Sequence, residues 1–402
     1  MSGLRVLAFG AWDRGEGYPR GSALLEGLRS CGAQVTECHI DSPYSGSDKR
    51  RLLRSPWLWP GYWWAMRRVK RLALRRLAAA IREEVPDVVL VPYPGHLAVH
   101  WIRKVWDGPI VLDMFLSAYD TAVVDRQMFR PGSMMAHLMV RLDRRAVRAA
   151  DAVLFDTVQN AAHIALLTGL PGEKCHVVPV SDPNEPVTPP IYRAPQRGEI
   201  LEVLFFGTGV PLHGLGYLLA ALEVCEGVRL TLVGGTQADR RHAQSMPPHK
   251  VRLADEFLPA SELRDYIART HLVAGVFGTS EKAGRVVPLK VMMALAAGRP
   301  VLTGRTPAIR RLLDDGVECV TVPVGDCGAL GRELQRLAGA PHELCELAAA
   351  GRLAYQREFA LRCVGQRLRR ICVDLAGVAD LAAPATAAGA VTGSKTHMEP
   401  VG

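Results

Sequence analysis

Short apolar runs recur along most of this chain, and between them apolar residues return every three to four positions. LRVLAFG (4–10), AQVTECHI (33–40), DVVLVPY (87–93), PIVLDMF (109–115), AVLFDT (152–157) and CHVVPV (175–180) are runs of this kind, bounded by turn residues. They suit strands covered on both faces. The intervening stretches predict helices over Ser22–Cys31, from about His96, over Pro131–Ala149 and from Val158. Strand and helix alternating in this way predict a doubly wound parallel sheet, since parallel strands need crossovers.

SDPNEPVTPPIYRAPQRGE (181–199) is proline-rich and lacks apolar periodicity, which marks a linker, and a second series follows it. That series contains LEVLFFG (201–207), VRLTLVG (228–234), VRLAD (251–255), HLVAGVFG (271–278), PVLTG (300–304) and ECVTVP (318–323). The expected organisation is a domain over 1–183, a linker over 184–199 and a second domain over 200–341. Closing helices over 342–375 are long enough to cross back to the first domain. From residue 376 the chain is rich in Ala, Gly and Thr, and a disordered tail over 376–402 is expected. At 402 residues with 49% hydrophobic content, two ordinary domains can be filled.

The net charge of +9 is unevenly spread. Between Lys49 and Arg82 there are eleven basic residues and no acidic one, interleaved with Trp57, Trp59, Tyr62, Trp63 and Trp64. From Tyr62, Met66, Val69, Ala73, Leu77 and Ile81 recur at helical spacing. Two readings stand level: an anionic membrane surface met by 49–82, or a helix packed on its own sheet with a solvated basic face. No nucleic-acid-binding module accompanies the segment, so a nucleic-acid partner is not expected. Nine scattered cysteines form neither a C-x-x-C pair nor a zinc spacing, as in a reduced cytoplasmic protein. The start of the chain runs directly into a strand, and no apolar run approaches a membrane span. A cytoplasmic chain is expected, with peripheral attachment to the inner face of a membrane as the membrane reading's form.

Two stretches carry candidate chemistry. FFGTGVPLHG (205–214) leaves a strand and opens a helix, bringing Gly207, Thr208, Gly209, His213 and Gly214 to a turn of the kind that faces phosphate. An ordinary tight turn accounts for the same glycines. GVFGTSEKAGRVVPLKVMMALAAGRPVLTG (275–304) reads as one βαβ unit whose loop bears Glu281, Lys282 and Arg285, with Lys290 in the next helix. Cations at the carboxyl end of a strand suit a diphosphate, and a solvated charged loop is the competing account. His96 and His100 have i, i+4 spacing, but HLAVH lacks the glutamate of a zinc motif, so no metal is expected there. GxxxxGK[ST], GxSxG and DxD are all absent.

On ADAVLFDT, VVPVSD, FGTGVPLHGLGYLLAAL and FGTSEKAGRVVPLKVMMALAAGRPVLT, the chain resembles GT-B glycosyltransferases of family 4 over about residues 4–375. The resemblance implies two doubly wound Rossmann-like domains facing a cleft. It also implies retaining, metal-independent transfer from a nucleotide diphosphate sugar to a glycan or lipid-linked acceptor, as in polysaccharide biosynthesis. The nucleotide sugar is then a substrate held by the second domain, and no cofactor is expected. Thr208 and His213 stand where the family's turn has Arg and Lys, and Arg285 and Met293 replace its two glutamates. His213, Arg285 and Lys290 are the expected catalytic groups, and Gly207, Thr208, Gly209, Gly214, Glu281 and Lys282 the expected donor contacts. A catalytically silent relative binding a glycan or partner protein, and a nucleotide-sugar epimerase, are the other readings.

Overall fold

The computed structural model describes residues 3–14, 19–41 and 59–378. Lys49, Arg50, Arg51, Arg54 and Trp57 of the basic segment, and the tail past 378, lie outside the described residues.

The first domain is a six-stranded parallel sheet. Its strands are β1 (Arg5–Gly10), β2 (Gln34–His39), β3 (Val88–Val91), β4 (Ile110–Asp113), β5 (Ala152–Phe155) and β6 (Cys175–Val177). They lie in the order β2-β1-β3-β4-β5-β6. Helices α1 (Arg20–Ser30), α2 (Trp59–Glu83), α3 (Val99–Ile102), α4 (Met134–Ala149) and α5 (Val158–Thr168) cover its faces. Local chemistry sets the helix ends. Ser133 caps α4 by accepting from the Ala136 N–H, Thr157 caps α5 by accepting from Asn160, and Gly169 at φ 73° ends α5 in the left-handed region.

The second domain repeats the design with β7 (Leu201–Gly207), β8 (Val228–Gly234), β9 (Val251–Leu253), β10 (Leu272–Ala274), β11 (Val301–Gly304) and β12 (Val320–Val322). The order β12-β11-β10-β7-β8-β9 runs outward in both directions from β7 and β10. A crevice therefore opens at the carboxyl ends of those two strands, where chain connections diverge to opposite sides. Helices α6 (Leu215–Val224), α7 (Gln237–Ser245), α8 (Ala260–Arg269), α9 (Glu281–Arg285), α10 (Leu289–Ala296), α11 (Pro307–Leu312) and α12 (Cys327–Ala338) flank the sheet.

One segment departs from expectation. The stretch expected as a charged loop contains α9, because the Ser280 hydroxyl accepts from the Ala283 N–H and starts a helical turn. Between β4 and α4 the chain holds a π-helical turn, Asp120–Asp125, anchored where the Ser117 hydroxyl accepts from the Asp120 N–H. The closing helices expected over 342–375 are α13 (Pro341–Glu358) and α14 (Leu361–Ala376), separated at Phe359-Ala360. Among the described residues no helix is long and apolar enough to cross a membrane.

The second helix of that pair crosses to the first domain. Val364, Leu368, Cys372 and Val373 of α14 share a buried core with Leu24 and Leu28 of α1. The two helices meet at glycines: a Cβ on Gly365 would lie 2.0 Å from the Gly27 carbonyl oxygen, which no rotamer change relieves. Gly365→Ala is expected to cost about 3 kcal/mol or more. Chemical denaturation monitored by circular dichroism checks this, and a loss near zero would mean the helices part without penalty.

Candidate active site

Gly207 ends β7 at the crevice with φ +140°. A Cβ there would lie 2.8 Å from His213 Cε1 and 3.4 Å from Lys290 Nζ, so glycine leaves room for an imidazole and an ammonium to converge on the strand end. The turn carrying His213 is pinned in place. The Phe277 N–H donates to the His213 carbonyl at 3.0 Å and the Gly278 N–H to that of Leu212 at 3.2 Å. Gly214 and Gly278 permit this close approach, since a Cβ on either would fall 2.4 Å from the other segment's backbone.

Lys290 enters from the first turn of α10, following Pro288. It is 5% exposed, and its ammonium has no hydrogen-bond partner. The nearest compensation is the face of Phe205, whose ring centre is 3.5 Å from Nζ, with Phe206 at 6.0 Å. A cation–π contact stabilises far less than the hydration an ammonium loses on burial, and burial pushes the Lys290 pKa well below the ordinary lysine value. His213 stands edge-on to the same ring at 5.8 Å, with Nδ1 buried and unpartnered. Burial, then the Lys290 charge, push its pKa down to about 3, so the imidazole is neutral. Two polar groups thus meet at a strand's carboxyl edge, both without hydrogen-bond partners, an arrangement able to receive an anion.

The structure brings Gly207, His213 and Lys290 together. Gly209 and Gly214 hold the same turn at φ +71° and +61°, and Thr208 is exposed beside them. Lys282 and Arg285 do not join the cluster. Lys282 pairs with Asp125, and Arg285 Nη1 lies 3.0 Å from Asp120 Oδ2, both acidic partners belonging to the first domain. Glu281 is exposed at the start of α9. The grip expected from three cations therefore reduces to one, because α9 turns two of them toward neighbouring carboxylates that the sequence places about 160 residues away.

The facing edge of the first domain is densely hydrogen-bonded, and sequence reasoning passed over most of it. Arg20 Nε donates to Asp113 Oδ1 at 2.8 Å and Nη1 to the Val178 carbonyl at 2.9 Å, with the guanidinium over Phe115. Burial raises the Asp113 and Asp156 carboxyls despite Arg20 beside them. His96 lies 3.2 Å from Asp143, and His100 does not share that partner. Among the described residues no group of His, Cys, Asp and Glu side chains could hold a metal ion. A groove of about 450 Å³ lined by Glu202, Arg252, Asp265 and Arg269 opens toward the amino-terminal ends of β7 and β10, away from Lys290.

Two doubly wound α/β domains, with a crevice at the carboxyl edge of the second sheet, define a two-domain Rossmann-like architecture. Comparison with known proteins supplies the family. Residues 20–181 match the family described as glycosyl transferase 4-like domain, and residues 201–339 that described as glycosyl transferases group 1. A D-inositol 3-phosphate glycosyltransferase of Xylanimonas cellulosilytica is 28% identical over 292 residues, which cover 67% of this chain and 68% of that protein. Similar solved structures include HepE of Anabaena in complex with UDP-glucose, at TM-score 0.61 and 15% identity, covering 92% of this chain and 100% of that one. Sucrose-phosphate synthase of Thermosynechococcus elongatus is similar at TM-score 0.65 and 15% identity, covering 93% and 99%. The chain is a family 4-like glycosyltransferase with the GT-B fold.

The uncompensated ammonium has a thermodynamic signature. Lys290→Met removes a buried unpaired charge at similar volume and is expected to raise the melting temperature by roughly 3 °C. The wild type, with its native lysine pKa depressed, binds fewer protons than its unfolded chain just below the ordinary lysine value. Its stability is fully present above that value and falls as pH drops toward the depressed one, whereas the variant lacks this dependence. Scanning calorimetry across alkaline pH reads both, and a destabilised variant would show the charge to be compensated.

Proposed function

We propose that this glycosyltransferase takes its sugar from a nucleotide diphosphate donor of UDP or GDP type, with the diphosphate on Lys290 and His213. The observation that carries the reading is the buried, unpartnered ammonium at the crevice of the second sheet. A diphosphate would supply the missing counter-charge. His213, neutral, would donate one hydrogen bond through Nδ1–H in that tautomer. HepE, similar in fold, was solved with UDP-glucose, which fits a donor of this class.

Retention and metal independence are part of the same proposal. The bond from the anomeric carbon to the diphosphate oxygen breaks while the acceptor oxygen bonds on the same face, and its proton passes to the departing diphosphate. The negative charge that grows on the leaving group meets the Lys290 cation in a site screened from water, where such attraction is strong. The same cation would answer the charge that a metal answers in other transferases.

The acceptor is proposed to be a glycan or lipid-linked molecule presented at an anionic membrane face, the setting of polysaccharide assembly. α2 supports this in part. Its apolar side, with Ala73 and Leu77, is spent on the first domain's core. The outward side shows Arg67, Arg68, Arg71, Arg75, Arg76 and Arg82 beside Trp64, 62% exposed, and Leu72, 51% exposed. Arg68 lies over the Trp64 ring at 4.8 Å. Arginines flanking an exposed indole suit a headgroup layer more than deep insertion.

Titration calorimetry with UDP and GDP tests the donor reading. Lys290→Ala is expected to weaken binding at least tenfold, about the contribution of a charged hydrogen bond. Because the anion restores the ammonium's charge, binding above the depressed pKa takes up a proton, and affinity falls as pH rises through it. No binding of either nucleotide by the wild type would refute the donor assignment. For the membrane face, co-sedimentation with phosphatidylglycerol vesicles should fall about 100-fold when Arg67, Arg68, Arg71 and Arg75 are changed to Gln. Equal binding by that variant would remove α2 from the attachment surface.

A further inference from the structure

The contact between the two domains carries charge chemistry that the donor reading does not use. Helix α9 belongs to the second domain, yet its charged side chains are held by the first. Lys282 is paired with Asp125, and Arg285 with Asp120. The other Asp120 oxygen lies 3.1 Å from His163 Nε2. Burial alone would push the Asp120 carboxyl up, but His163 and the Arg285 guanidinium outweigh it and hold it below its usual range. The Thr157 hydroxyl donates to the Arg285 carbonyl, adding a backbone anchor at the end of the same helix.

Asp120 is itself rigidly seated. Its N–H donates to the Ser117 hydroxyl at 3.0 Å, and that hydroxyl donates to Asp143 at 2.7 Å. Asp143 also accepts from the Ala118 and Tyr119 N–H groups at 2.9 and 3.1 Å. Side-chain exposure is 12% for Arg285 and 4% for Asp120, so removing one partner would strand a nearly buried charge. On the far side of α9 only Val286, Val287 and Pro288 separate Arg285 from the helix that bears Lys290. Val287 is 6% exposed within the second domain's core, so this link transmits position.

We propose that Asp120 and Asp125 are positioning residues of the donor site. The first domain reaches across the cleft and clamps α9, and through Val287 and Pro288 it fixes where the Lys290 helix begins. The diphosphate seat is then complete only when the two domains are closed on each other. This rests on reading Lys290 as a donor contact. It also assigns Lys282 and Arg285, both expected at the donor, to cleft closure, with their charges neutralised by the first domain.

The test uses the full chain with Asp120→Asn, Asp125→Asn and the exchanged pair Asp125→Lys with Lys282→Asp, by UDP and GDP titration and small-angle X-ray scattering. Each single variant is expected to weaken UDP binding about tenfold, within the span of long-range coupling, and to show a larger radius of gyration. The exchanged pair should return affinity to within about threefold of wild type, which a loss of packing alone would not produce. Unchanged or tighter UDP binding by Asp125→Asn overturns the proposal, since freed cations would then be serving the donor directly. Should Asp120→Asn fail to fold, the Asp125 variants decide, because that carboxylate is 28% exposed and less demanding to replace. If the wild type binds neither nucleotide, the donor reading fails by itself. Scattering then judges the clamp, and an unexpanded Asp125→Asn chain overturns it.

Discussion

A buried ammonium without a counter-charge is the constraint around which the second domain is arranged. Lys290 could lie in solvent at little cost, yet the Pro288 start of its helix points it at the end of β7. Gly207 clears the space, Phe205 offers only its ring face, and the pinned turn presents a neutral His213 beside it. Each of these features leaves the cation available to something that arrives from outside. Stability given up at one residue is the usual mark of a site built for binding.

The two domains divide the electrostatic work. At the carboxyl edge of the second sheet Lys290 has no hydrogen-bond partner, while Lys282 and Arg285 are compensated by Asp125 and Asp120. At the facing edge of the first sheet, Arg20 and Asp113 satisfy one another inside the protein, with Asp156 nearby. Among the described residues, the cleft thus holds neutral pairs beside the unpartnered Lys290 ammonium.

The fold and the resemblance to GT-B transferases were legible in the chain because buried parallel strands write themselves as uninterrupted apolar runs, and glycine turns follow them at fixed places. The basic segment was legible only as two alternatives. Helical spacing identifies an apolar face but not its neighbour, and here Ala73 and Leu77 face the protein's own sheet. The candidate site was half legible: Gly207, His213 and Lys290 stood out by type and position, and the structure joins them. Lys282 and Arg285 stood out equally and are engaged elsewhere.

The sequence by itself determined the two sheets, the glycine turn and the presence of several cations near one strand end, since all are local or periodic properties. Only the tertiary structure decided which cation is free. That choice depends on where Asp120 and Asp125 lie relative to α9, on Asp143 ordering the segment before Asp120, and on α14 returning to α1. Charge compensation is a matter of distances of a few ångströms between residues more than a hundred positions apart, and no local pattern encodes those distances.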